Sequence, residues 1–93
     1  MTVLTIWKSI LEPVGLQEID VPMGSEFLCT HTQNEMLCVW YKCDPTAPKE
    51  QRRVAIVGTG HSAETEGADY LGSCLLMGGR LVLHVFVWAA FKH

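Results

Sequence analysis

The sequence predicts an all-β fold: one small domain, residues 1–93, of six to seven short antiparallel strands, arranged as a barrel or a sandwich. Three observations carry this. Apolar, β-branched and aromatic residues gather in short runs of about 4–8 residues, the length of strands. Turn residues (Pro-x-Gly, Gln-Asn, Asp-Pro, Gly-Gly) separate those runs. No segment carries the 3.6-residue spacing of an amphipathic helix.

Taken in order, Ile6 to Leu11 reads as a strand or one helical turn, ended by Pro13 and Gly15. Leu16 to Val21 alternates weakly, with Gln17, Ile19 and Val21 on one face. Pro22-Met23-Gly24-Ser25 is a tight turn, since proline presets one turn position and glycine allows a positive φ at another. Ser25 to Thr32 forms the next strand, with Phe27, Cys29 and His31 expected on one face. Gln33-Asn34 links it as a hairpin to Glu35 to Cys43, whose core Met36 to Tyr41 is apolar on both faces and therefore central. Asp44 to Pro48 and the charges that follow read as an exposed loop. Arg53 to Val57 is a short strand, Gly58 to Asp69 the longest loop, Leu71 to Met77 a strand, Gly78-Gly79 a hairpin turn, and Arg80 to Trp88 the closing strand.

That closing strand is unusually apolar. Leu81, Leu83, Val85 and Val87 occupy one face, while Val82, Phe86 and Trp88 flank His84 on the other. A half-buried strand needs apolar side chains on one face only. Phe86, Trp88 and Phe91 are accordingly expected to form a contact between copies of the chain, making a homo-oligomer. Burying Trp88 and Phe91 contributes on the order of 3–6 kcal/mol from area alone, before the costs of association.

Charged residues make up 18% of the chain and the formal net charge is −3, against the basic stripe that phosphate neutralisation demands of a nucleic-acid binder. Four cysteines stand at positions 29, 38, 43 and 74, with no CxxC pair and no basic, apolar leader at the N-terminus. They read as reduced, buried small hydrophobes of a cytoplasmic protein. No apolar stretch approaches the ~20 residues that cross a bilayer as a helix, so no membrane role is expected.

Gly58-Thr59-Gly60-His61 directly follows a strand. Glycines around a hydroxyl present backbone N–H groups to an anion, and the imidazole adds a hydrogen bond or a proton. The plain alternative is a turn that needs a positive φ. No lysine follows as in a P-loop. Arg52 and Arg53, in the only local basic cluster, complete the candidate anion-binding set Arg52, Arg53, Gly58, Thr59, Gly60 and His61.

The remaining constellations stay structural. Cys29-x-His31 gives at most half a metal site, and Cys38 and Cys43 fall on opposite faces of one strand; neither metal nor cofactor is expected. Cys74 and His84 mirror each other across Gly78-Gly79, the one arrangement that would bring a thiol near a base. A buried cysteine beside a satisfied histidine is the commoner case, and no catalytic residue is assigned. Glu64, Glu66 and Asp69 read as a solvated acidic loop.

Six segments together resemble a family of small bacteriophage and prophage proteins: Val21-Pro22-x-Gly24, Leu37-Cys38-Val39-Trp40, Asp44-Pro45, Val57-Gly58-Thr59-Gly60-His61, Tyr70-Leu71-Gly72 and Leu83-His84-Val85-Phe86. The resemblance runs from about Leu16 to Phe86 and carries over no catalytic residue. It implies a small Sm/SH3-like β-barrel, of a kind that forms rings, and a phage-encoded, non-catalytic protein in the host cytoplasm. Such a protein would antagonise a host factor or defence system, by capping a host protein or by sequestering a small anionic, nucleotide-type ligand. The alternatives are an Sm-like RNA-binding ring, which wants a basic rim, and a structural or assembly component of the virion.

Overall fold

The structure, a computed structural model, describes residues 2–90. Seven strands form two antiparallel sheets: β1 (Thr5–Leu11), β2 (Gly15–Pro22), β3 (Glu26–Gln33), β4 (Met36–Cys43), β5 (Lys49–Gly58), β6 (Asp69–Leu76) and β7 (Leu81–Val87). One sheet runs β1-β4-β3 and the other β2-β5-β7-β6. The molecule is a sandwich rather than a closed barrel, because four strands (β1, β3, β2 and β6) keep a free edge within their sheets. Its thinnest Cα dimension is 15 Å, which leaves room for a single core layer between two sheets.

That layer is made by alternate residues of each strand. Leu37, Val39, Tyr41 and Cys43 of β4 meet Val54 and Ile56 of β5 and Leu83, Val85 and Val87 of β7. Leu11, Val21, Cys74 and Leu76 close the ends. Both β4 and β7 are interior strands of their sheets, as their apolar character demands. Ser9 and Tyr41 share a hydrogen bond of 2.8 Å at the margin of the core.

Two β-bulges alter the alternation that simple counting gives. The first lies between Phe27 and Cys29 in β3. It leaves Phe27 opposite Tyr41, while Cys29 and His31 stand opposite Trp40 and Cys38 on the outer side. The expected common face of Phe27, Cys29 and His31 is therefore divided, and Thr30 turns inward instead. The second lies between Tyr70 and Gly72 in β6. A Cβ on Gly72 would stand 3.0 Å from the Thr30 Cγ2 atom, so this glycine lets β6 approach β3 where the two sheets meet.

β5 is the longest strand and begins at Lys49, within the segment expected to be loop. Its charged first half pairs with β2 from Lys49 opposite Pro22 to Arg53 opposite Glu18. Arg52 is 7% exposed and acts as a strut. Its Nε and Nη2 donate to the Trp88 carbonyl at 3.0 and 2.9 Å, and its Nη1 donates to the Ser25 carbonyl at 3.0 Å. The guanidinium also lies 3.9 Å from the Glu50 carboxylate and 4.9 Å from the centre of the Phe27 ring. Burial pushes its pKa below the ordinary arginine value, and Glu50 opposes that shift.

The outer face of β7 is covered within the chain. The loop from Thr59 to Ala68 returns across that side of the sheet. The Trp88 indole N–H donates to the Glu66 carbonyl at 2.9 Å, and Gly67 packs against the ring. The Arg53 guanidinium stands over the indole, 5.8 Å from its centre, and the ring centres of Phe86 and Tyr70 are 5.4 Å apart, tilted by 56°. Phe86 and Trp88 are both half-buried. The cover that the sequence reading sought in a second copy is thus partly provided by the chain's own loop. Phe91, the third residue assigned to that contact, lies outside the described residues. Among the described residues, no helix is long and apolar enough to cross a membrane.

Candidate functional site

The turn after β5 is built as its composition requires. The His61 amide donates to the Gly58 carbonyl at 3.0 Å, closing a four-residue turn whose third position, Gly60, has φ +87°. A Cβ on Gly58 would meet the His61 ring at 3.5 Å, an ordinary contact, so the imidazole rests over this glycine. The Thr59 amide donates to the Val82 carbonyl at 3.4 Å, and the side chain of Thr59 stands over the neighbouring strand.

There it meets a line of polar side chains. His84 of β7 faces outward between two hydroxyls. Its Nε2 is 2.7 Å from Thr59 Oγ1, and its Nδ1 is 2.6 Å from Ser73 Oγ. Ser73 is in turn hydrogen-bonded to the Tyr70 hydroxyl. The register places Ser73 directly opposite His84 and Tyr70 opposite Phe86. Tyr70 and Ser73 are three residues apart, so unbroken alternation would set them on opposite faces. The extra residue of the Tyr70–Gly72 bulge brings both to the outer side.

These groups line an open hollow of about 360 Å³, with Thr59, Gly60, His61, Tyr70, His84 and Phe86 in its wall. Across the turn lies a second hollow of about 380 Å³, which shares Gly58, Thr59 and His61 and adds Arg80. The Gly58–His61 turn thus separates two depressions, one walled by aromatic rings and an imidazole, the other bordered by a guanidinium.

Arg52 and Arg53 are not part of this place. They precede Gly58 by five to six residues along β5, roughly 17–20 Å at the rise of a strand. They also point to opposite sides of the sheet, with Arg52 buried and Arg53 exposed. Arg53 borders a hollow of about 520 Å³ that Arg52, Glu18, Glu50 and Trp88 also line. Glu18 stands opposite Arg53 in the strand register, Glu50 lies 3.9 Å from the Arg52 guanidinium, and the donors of Arg52 are held by backbone carbonyls. The structure therefore brings together Gly58, Thr59, Gly60 and His61 from the anion-binding set and leaves the two arginines apart. It adds Tyr70, Ser73, His84 and Arg80. Tyr70 and Ser73 escaped notice because a bulge hides their shared face. Arg80 escaped because it abuts a turn and was read only as the start of a strand.

The thiol–imidazole pairing considered from the sequence does not form. Cys74 is opposite Leu83, points into the core at 4% exposure, and sits 3.4 Å from Thr30 Oγ1. His84 is on the other side of the same sheet. Cys38, Cys43 and Cys74 are buried free thiols and Cys29 is a half-buried one. Burial pushes the Cys43 thiol up, with Lys49 opposing and Asp44 reinforcing the shift. Among the described residues, no group of three or more His, Cys, Asp or Glu side chains stands close enough to hold a metal ion. Of the acidic loop residues, Glu66 contributes its backbone carbonyl to Trp88 rather than its carboxylate.

No curated protein and no solved structure matches the chain. A family model does match, covering residues 2–92, which takes in both hollows and every residue of the hydroxyl–imidazole line. The chain belongs to the DUF7352 family, a domain of unknown function.

Proposed function

We propose that this protein is a non-catalytic binding module that takes a small anionic, nucleotide-type ligand at the Gly58–His61 turn. One observation carries the reading: Thr59, held by His84, stands between an aromatic-walled hollow and a hollow bordered by Arg80. A phosphate placed at the turn meets the Thr59 hydroxyl and His61, with the guanidinium of Arg80 on one side. A planar base meets the Tyr70 and Phe86 rings on the other. The reading of the protein as a phage product that disarms a host defence by sequestering such a ligand, or by capping a host protein, rests on the sequence resemblance and is part of the same proposal. So is a cytoplasmic location, which the four free thiols favour. An RNA-binding ring is the weaker reading, since a net charge of −3 leaves little electrostatic affinity for a polyanion.

Mass spectrometry of the supernatant after heat-denaturing the purified protein tests this, together with calorimetry against a panel of mononucleotides. A released or bound nucleotide is expected, with affinity reduced about tenfold or more by Arg80→Gln or Thr59→Val, a loss of one charged or neutral hydrogen bond. An empty supernatant and no binding across the panel would remove the nucleotide reading.

A further inference from the structure

The line Tyr70–Ser73–His84–Thr59 has a directional property that follows from counting hydrogens. A neutral imidazole carries one N–H, so one of its two hydroxyl neighbours donates to the ring and the other accepts from it. Two arrangements satisfy every bond. In the first, Tyr70 donates to Ser73, Ser73 donates to His84 Nδ1, and His84 Nε2–H donates to Thr59. The hydrogen of Thr59 is then free to point into the hollow. In the second, Thr59 donates to Nε2, Nδ1–H donates to Ser73, and Ser73 donates to Tyr70. Thr59 then offers only lone pairs outward. An anion at the turn accepts a hydrogen bond from Thr59 only in the first arrangement.

Protonating His84 removes the second arrangement altogether. Both ring nitrogens then donate, so Thr59 must accept from Nε2 at 2.7 Å and its own hydrogen is always directed outward. The imidazolium also places a positive charge one hydroxyl away from the ligand. A ligand that is anionic therefore binds the protonated form more tightly than the neutral one. By linkage, its binding then draws a proton onto the ring.

We propose that the site captures its ligand as an oxyanion together with one proton taken up by His84, which makes His84 a positioning residue and a phosphate monoester the fitting ligand class. This rests on the anion-site reading above. The titratable and charged groups around His84 are Tyr70 and His61 in the same hollow and Arg80 across the turn. Glu64 lies in the loop that borders the neighbouring strand face. His61 is the one other imidazole in that hollow, so it is the necessary control.

Isothermal titration of the full chain with adenosine monophosphate, in two buffers of matched pH and different ionisation enthalpy, counts the protons exchanged. Inorganic phosphate in parallel separates the phosphate from the base. The expected result is uptake of up to one proton per bound nucleotide. Affinity is expected to fall about tenfold per pH unit where the free ring is neutral, the slope for one linked proton. Inorganic phosphate should show the same uptake with weaker binding. His84→Gln keeps a donor and an acceptor on that line and is expected to bind more weakly and to lose the uptake; His61→Gln, which removes a ligand contact, is expected to weaken binding and keep the uptake per nucleotide bound. Nucleotide binding with equal heats in both buffers, or uptake unchanged in His84→Gln, would overturn the proton linkage alone. No binding by either probe between about pH 5.5 and 8.5 would overturn the linkage and the anion site together.

Discussion

Replacing Arg52 by methionine removes three hydrogen bonds at once and leaves the Trp88 and Ser25 carbonyls to find other partners. Methionine fills much of the same volume, so the loss is chiefly polar. The expected cost is about 2–4 kcal/mol, seen as a fall of roughly 10–20 °C in the thermal midpoint for a domain of this size. A loss under about 0.5 kcal/mol would show that the strut is dispensable. At the same scale, the Asp44 carboxylate accepts from the Thr46 hydroxyl and then from the Thr46 amide, and these bonds hold its pKa below the ordinary carboxylate value. A depressed folded-state pKa contributes stability above the unfolded value and loses it as pH falls through the folded value. Asp44→Ala is therefore expected to flatten the acid limb of the stability curve while leaving its slope near neutrality unchanged, as chemical denaturation at a series of pH values will report. The thiols give a third residue-level outcome. In native protein, Cys29 is expected to react first with a thiol reagent, and Cys38, Cys43 and Cys74 only on unfolding, because the thiolate must be exposed to attack.

At the scale of elements, the bulge in β6 does two separate jobs: it brings Tyr70 and Ser73 to one face and lets Gly72 pass against Thr30. Gly72→Ala puts a methyl 3.0 Å from the Thr30 Cγ2 atom and is expected to cost about 1–3 kcal/mol. Thr30→Ser removes that methyl and keeps the hydroxyl that donates to the Cys38 carbonyl. The double variant is expected to recover part of the loss, and purely additive unfolding free energies would refute the contact. These bulges also mark where the sequence stopped being readable. Alternation placed β7 well, with Leu83, Val85 and Val87 buried on one side, because its apolar face is continuous. It failed at β3 and β6, where one inserted residue reverses which side chains share a side, and no local composition announces the insertion. The start of β5 was obscured for another reason. Lys49, Glu50, Gln51 and Arg52 look like solvent-facing loop, yet pairing to β2 holds them in extended form, and Arg52 is buried because backbone carbonyls satisfy it. The Gly58–His61 turn was legible because a glycine at positive φ leaves a local signature. Its partnership with His84 and Ser73 was not, since it depends on a register set far along the chain.

For the whole molecule, neither sheet is wholly covered on its outer side. The outer side of β2-β5-β7-β6 has the Thr59–Ala68 loop over part of it. The outer side of β1-β4-β3 leaves Ile6 at 59%, Ile10 at 57% and Met36 at 51% exposure around a half-buried Trp40. If copies of the chain associate, this side offers an apolar face, as does the side of Phe86 and Trp88, where Leu16 and Tyr70 are 60% and Leu75 is 58% exposed. Light scattering at micromolar concentration is expected to show a mass above the monomer that falls on introducing Ile6→Lys and Ile10→Lys together. A wild-type chain that is itself a monomer would end the self-association reading. The loop on the opposite side links two separate places. Its first residues form the wall where a ligand is expected, and Glu66 and Gly67 near its far end seat the indole of Trp88. A ligand that shifts the near end is therefore expected to shift the surroundings of a natural fluorophore, and with Trp7 and Trp40 replaced the emission colour of Trp88 becomes a label-free gauge of whether the hollow is filled.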